Sequence, residues 1–163
     1  EALCQAYKQQ KGLDVVIARL TRSYGPTMNM SDTKAVSQFI KRGVAGEDII
    51  LKSEGTQYFS YTYMSDAVSG LLWVLLTGEN GEAYNIADES GDIQLKDLAT
   101  NIAALSGKKV VFEIPDGVEA SGYSKATKAR LNGAKLKGLG WVPEYNIKTG
   151  VERTISILKE LYD

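Results

Sequence analysis

Residues 14–20 read DVVIARL, a β-branched and almost unbroken apolar run. A strand with one wet face alternates apolar and polar residues. A run that does not alternate suits a strand buried on both faces, as in parallel sheets covered by helices. The stretch therefore predicts a parallel strand, and the segments around it supply the helices. In residues 1–11, Ala2, Leu3, Ala6 and Tyr7 share one face, with Gly12 as a stop and no capping residue ahead of Glu1. Residues 34–46 are amphipathic, with Ala35, Phe39 and Ile40 on one side. Residues 49–52 and 55–63 read as extended. Residues 65–76 form an apolar helix with Ser65 and Asp66 as capping candidates and Leu72 and Trp73 as core. Strands follow at 83–87 and 109–114, and helices at 96–106, 134–139 and 147–162, while 116–130 is poorly patterned. Trp141, between glycine and proline turns, reads as packed. Alternating strands and helices argue an α/β fold. The irregular strands of the last hundred residues suit a smaller mixed lobe.

Composition removes several function classes. Nineteen basic residues oppose twenty acidic ones, so charge gives no case for nucleic acid or an anionic membrane. There is no histidine, which excludes histidine bases, triads and metal ligands from within this chain. The single cysteine, Cys4, forms no internal disulfide and reads as inert packing, and a reducing, cytoplasmic setting is the default expectation. No apolar run approaches the roughly 20 residues that span a bilayer. The opening residues lack the basic region and apolar core of a secretory leader.

Phosphate cradles of the G-x-G-x-x-G and G-x-x-x-x-G-K types are absent. Tyr7 and Lys11 have the Y-x-x-x-K spacing that lowers a phenol pKa, but they close a helix rich in Lys and Gln, where Lys11 reads as a solvated charge favoured by the dipole. The informative string is residues 19–26, RLTRSYGP, directly after the strand. In open α/β sheets ligands collect beyond the carboxyl ends of strands, so Thr21, Arg22 and Ser23 occupy a ligand's place. The competing reading is a tight exit turn punctuated by Gly25 and Pro26.

This string resembles the R-x-x-N-x-Y-G-P signature of the extended short-chain dehydrogenases, the nucleotide-sugar epimerase/dehydratase family. Gly55-Thr-Gln57 with Tyr63-Met-Ser-Asp66 resembles that family's G-x-Q-x-R-x-F-x-x-V-x-D element. Ala83-Tyr-Asn85-Ile resembles its Y-N-(I/V) strand, and Leu139-Gly-Trp141-Val-Pro143 its L-G-W-x-P segment, followed by a G-V-x-x-T-I match at residues 150–155. The resemblance implies the end of a Rossmann-like parallel sheet followed by a smaller mixed α/β substrate-binding lobe, all of 1–163 being the C-terminal portion of such an enzyme. The family's Gly-rich dinucleotide-binding half and its Tyr-Lys pair would lie before Glu1. No catalytic residue is therefore assigned here, and the chain alone is expected to be inactive. NAD or NADP is the implied cofactor of the intact enzyme, a nucleotide-diphosphate sugar its substrate, and a homodimer its assembly. A non-catalytic nucleotide-sugar binding or interaction module is the alternative.

Carried over by position, Leu20 and Thr21 face the nicotinamide side of the cleft. Arg22 stands where the family usually has a substrate-contacting Asn, and Phe59 where many members have an Arg that clamps the diphosphate. The missing charge has two candidate sources: Arg22, and the basic stretch holding Lys125, Lys128, Arg130, Lys135 and Lys137, for which a solvated surface is the other reading. Arg22, Ser23, Lys52 and Arg130 are the expected substrate-binding set, Lys52 because relatives contact the nucleobase there. Asp66 is expected to cap its helix.

Overall fold

The computed structural model describes residues 1–114 and 126–162, which leaves Lys125 outside the described residues. Helix α1 (Ala2–Lys11) ends on Gly12 in the left-handed region, at φ 66°, so the expected glycine stop is where the chain turns. Strand β1 (Ile17–Leu20) follows, then β2 (Arg22–Tyr24), helix α2 (Ala35–Val44) and strand β3 (Ile49–Leu51). Strand β4 (Tyr58–Tyr63) leads directly into helix α3 (Met64–Thr77), and then come β5 (Ala83–Ile86) and β6 (Asp92–Gln94). Helix α4 (Leu95–Leu105), β7 (Val110–Phe112), β8 (Lys128–Ala129), α5 (Ala134–Gly138) and α6 (Ile147–Tyr162) complete the described elements. The α/β expectation holds.

Three ladders organise these elements. β1 pairs with β5 in parallel, Ile17 opposite Ala83 through Leu20 opposite Ile86. β3 pairs with β7, also in parallel. The third is built on β4. Its end pairs in parallel with β2, Arg22 opposite Tyr61 and Tyr24 opposite Tyr63. Its start pairs antiparallel with β6, Ser60 opposite Asp92, and in parallel with β8, Phe59 opposite Ala129. A mixed ladder joined to parallel pairs is the arrangement expected of a sheet end passing into a smaller lobe.

Two cores lie beneath these ladders. The larger joins α2, α4 and α6 to β3 and β4 through Phe39, Ile40, Ile49, Leu98, Ile102 and Leu158. The smaller gathers Val74, Tyr84, Ile86, Leu136 and Trp141 around β5, with Val16 and Ala18 packed against it. Gly133 allows the second to close. A Cβ there would lie 1.9 Å from the Ala87 carbonyl oxygen, so only glycine lets the segment before α5 cross the end of β5.

Three expectations need correction. The run 14–20 is a strand only over Ile17–Leu20; it pairs with one neighbour among the described residues, and its last two side chains are exposed. Leu72 and Trp73 are not core but 54% and 38% exposed, part of an outward face of α3 that includes Val68, Leu75 and Leu76. That helix is apolar on more sides than the described residues cover. α1 likewise has no buried residue. Asp66 does not cap α3. The capping position is Tyr63, and no side-chain cap forms. The Asp66 carboxylate is buried and accepts the backbone N–H groups of Glu144 at 3.0 Å and Tyr145 at 2.9 Å, tying α3 to the approach to α6. Trp141, by contrast, is packed as expected, at 1% exposure.

Candidate functional site

A cleft of about 320 Å³ opens at the carboxyl end of β1, lined by Leu20, Thr21, Arg22, Ser60, Ala129, Arg130 and Leu131. Each lining element arrives for a local reason. Leu20 ends β1, Thr21 bridges to β2, and Arg22 starts β2. Ser60 falls between the residues of β4 that pair with β2 and those that pair with β8. Its hydroxyl accepts the Leu131 N–H at 3.1 Å, which holds the segment after β8 against the cleft. It also donates to the Asp92 carboxylate at 2.5 Å.

The cleft carries two guanidinium groups. Arg130 lies 3.3 Å from the Asp92 carboxylate, whose side chain is only 7% exposed, and 5.0 Å over the Tyr58 ring. Arg22 lies 3.7 Å over the Phe59 ring and has no carboxylate partner among the described residues. Thr21 and Thr62 share a hydroxyl–hydroxyl bond of 2.6 Å. The site thus offers two planar cations with the Thr21 hydroxyl beside them, which suits an anionic, hydroxylated ligand.

Two phenols on the strands beside the cleft are held in their neutral form. Burial pushes the Tyr61 phenol up to about 12, with Arg22 only partly opposing it. Burial also pushes Tyr24 upward, reinforced by Tyr63 and Asp66. Both phenols stay protonated at neutral pH and offer no base. Tyr7 of the Tyr7–Lys11 spacing is exposed on α1.

Four of the six singled-out residues therefore meet in one place: Leu20, Thr21, Arg22 and Arg130. Ser23 sits one residue further along β2 with its hydroxyl buried and lacking a hydrogen-bond partner. Lys52 is exposed, just past β3 and outside the cleft lining. Of the other basic candidates among the described residues, Lys128 is exposed on β8 and two are paired with acids. Lys135 binds Glu82 and lies over the Tyr84 ring, while Lys137 is clasped by Asp88 and Glu89. Those two lysines belong to an acid-paired surface. Ser60 and Asp92 were not singled out in the sequence. For Ser60 a signal existed, since YFSYTY alternates aromatic and hydroxyl residues and so places Ser60 and Thr62 on one side of the strand.

The sequence profile of the NAD dependent epimerase/dehydratase family matches residues 1–87. The chain belongs to this family. A member in Xenopus tropicalis, UDP-glucuronic acid decarboxylase 1, is 30% identical over 98% of the chain, which spans 37% of that protein. UDP-glucuronic acid decarboxylase 6 of Arabidopsis thaliana is 31% identical over 93% of the chain and 43% of its own length. Among solved structures, the Thermotoga maritima UDP-glucose 4-epimerase with UDP-glucose superposes on 99% of the chain with a TM-score of 0.86 and 22% identity, over 51% of that enzyme. The Bacillus cereus UDP-glucuronic acid 4-epimerase with UDP-glucuronic acid and NAD gives 0.80 at 23% identity, over 50% of its length. The chain thus spans about half or less of the family members it matches, and it shares the fold of their corresponding portion. Among its described residues no helix is long and apolar enough to cross a membrane.

Proposed function

We propose that this chain is the C-terminal, nucleotide-sugar-holding portion of an NAD(P)-dependent enzyme that epimerises, dehydrates or decarboxylates a nucleotide-diphosphate sugar in the cytoplasm, as a homodimer. The observation that carries this reading is the cleft itself, where Arg22 and Arg130 face a space at the carboxyl end of β1 beside the hydroxyls of Thr21 and Ser60. A nucleotide-diphosphate sugar carries about two negative charges at neutral pH, and burying them unpaired would cost several kcal/mol, so cations must approach them. The sugar's hydroxyls suit the half-buried Thr21 hydroxyl at the cleft. Ser23 and Lys52 complete the proposed substrate set.

The residues present fit one wall of a nicotinamide site. Leu20 presents an aliphatic surface, 47% exposed, at the end of β1, and Thr21 adds a hydroxyl beside it. Such a surface accepts a flat ring, whereas the pyrophosphate of the dinucleotide finds no glycine-rich loop in this sequence. A nicotinamide bound there would supply hydride-transfer chemistry, and this chain's part would be to orient the sugar beside Leu20 and Thr21. The chain alone is accordingly expected to bind NAD weakly, and calorimetry giving micromolar affinity would contradict the assignment.

The experiment that tests the reading replaces Arg22 and Arg130 by Met, one at a time, in the full-length protein. Losing one charged hydrogen-bonding partner costs roughly 1.5–3 kcal/mol, or about ten- to a hundredfold in nucleotide-sugar affinity. If both variants bind as tightly as the parent, the cleft is not the diphosphate site.

A further inference from the structure

The two guanidinium groups of the cleft are held in different ways. Arg130 already has a counter-ion in Asp92, and that carboxylate is fixed by the Ser60 hydroxyl. Arg22 has none among the described residues. Arg19 and Arg42 also have acidic partners, Glu1 and Glu47, and Arg153 is exposed. Arg22 is therefore the one half-buried arginine among the described residues whose charge is not balanced by a carboxylate. What holds it is Phe59, whose ring lies under the guanidinium at 3.7 Å. Phe59 is only 7% exposed and packed into the larger core, so the ring does not move with its guest. The contact follows from register. Arg22 opposes Tyr61, and Phe59 is the same-face residue two positions earlier on β4, a diagonal neighbour.

Resting on the reading of the cleft as a diphosphate site, we propose that Phe59 is a positioning residue that presents Arg22 as the principal anion-binding fork, with Arg130 secondary because it must share its charge with Asp92. A guanidinium stacked on a ring keeps its N–H groups in the plane, directed away from the ring face, so stacking fixes the cation without consuming its donors. A lysine at the same position would keep the charge but lose the fork and much of the stack. The sequence singled out residues 22 and 59 as separate departures from the family pattern; in the fold they are a single contact.

The test is a double-variant cycle in the full-length protein, with UDP and inorganic pyrophosphate as probes in calorimetric titrations and thermal melting measured alongside. Arg22→Met is expected to weaken UDP binding about ten- to a hundredfold. Phe59→Leu keeps an apolar side chain in the core and is expected to weaken binding roughly three- to tenfold through loss of the cation–π contact. Added to Arg22→Met, Phe59→Leu should weaken binding no further. Phe59→Tyr, which keeps the ring face, should restore parental affinity, and Arg22→Lys should bind nearly as poorly as Arg22→Met. Equal losses from Phe59→Leu in both backgrounds, or lowered melting with unchanged affinity, would show that Phe59 only fills the core and would overturn the inference. Should Phe59→Leu not fold, parental affinity in Arg22→Lys would overturn it instead. A parent protein that binds neither probe would overturn the diphosphate-site reading as well. An Arg130→Met loss larger than that of Arg22→Met would overturn the ranking of the two arginines.

Discussion

Replacing Asp66 should cost more stability than replacing any exposed acid of this chain. Its carboxylate is 3% exposed and receives two backbone N–H groups, at 3.0 and 2.9 Å, from residues nearly eighty positions away. Hydrogen bonds to an ionised acceptor contribute about 1.5–3 kcal/mol each, and an orphaned buried N–H costs about 1–3 kcal/mol. Asp66→Ala orphans both donors and opens a small void, for an expected loss of about 4 kcal/mol. Asp66→Asn keeps one oxygen but turns an amide NH₂ towards the second donor, for about 2 kcal/mol. In a chain of this size 1 kcal/mol corresponds to roughly 2–4 °C, so the alanine variant should melt about 8–16 °C lower. Urea unfolding with an unchanged slope, together with calorimetry, measures the loss. Amide exchange at Glu144 and Tyr145 localises it. An Asp66→Ala variant within about 1 kcal/mol of the parent, or unchanged protection at those two amides, would refute the reasoning.

Two further outcomes follow from the surface. The outward face of α3, with Leu72, Leu75 and Leu76, lies on a chain whose α1 also exposes Leu3 and Tyr7 and whose β1 has one unpaired edge among the described residues, so the isolated chain should self-associate. Leu72→Glu combined with Leu76→Glu should lower the mass seen by light scattering while shifting stability by less than about 0.5 kcal/mol per site, and a parent chain that is monomeric at high concentration would count against this. Burial raises the Asp88 carboxyl, but the Lys137 ammonium and the donors of Ser90 outweigh it and hold the carboxyl below its ordinary value of 3.8. Because the folded value is the lower one, the stabilisation is present above that ordinary value and is lost as pH falls through the folded value. Lys137→Met should flatten the acid limb of a stability–pH profile there, and an unchanged limb would refute the pairing.

How much could be read from the sequence depended on how far apart the interacting residues lie. Helix α6 was legible because its apolar spacing and the preceding Pro143 are local. Thr21 and Arg22 were legible as lining a cleft because their place depends only on following a strand. Asp92 was not, because β4 and β6 bring it to Ser60 from 32 positions away and nothing near it in sequence signals that contact. Asp66 looked like a cap because an acid at the start of a helix usually serves that helix, and its actual donors come from the far end of the chain. Leu72 and Trp73 were misplaced for another reason: an apolar side chain records that something covers it, not which segment does.

Both tryptophans of the chain report on one seam. The Trp73 indole N–H donates to the Leu139 carbonyl at 3.0 Å, and the Trp141 indole N–H donates to the Ser69 hydroxyl at 3.1 Å, so α3 and the turn before Pro143 are stitched from both sides. Intrinsic fluorescence is consequently a local instrument. The buried Trp141 supplies the blue component and the partly wetted Trp73 the red one, and both change when this seam parts. The larger core under α2, α4 and α6 holds tyrosines but no indole, so with excitation selective for tryptophan it is silent. A fluorescence transition that coincides with loss of far-ultraviolet ellipticity would mean that the seam and the silent core melt as one unit. A fluorescence transition that runs ahead of it would mean that the smaller core opens first.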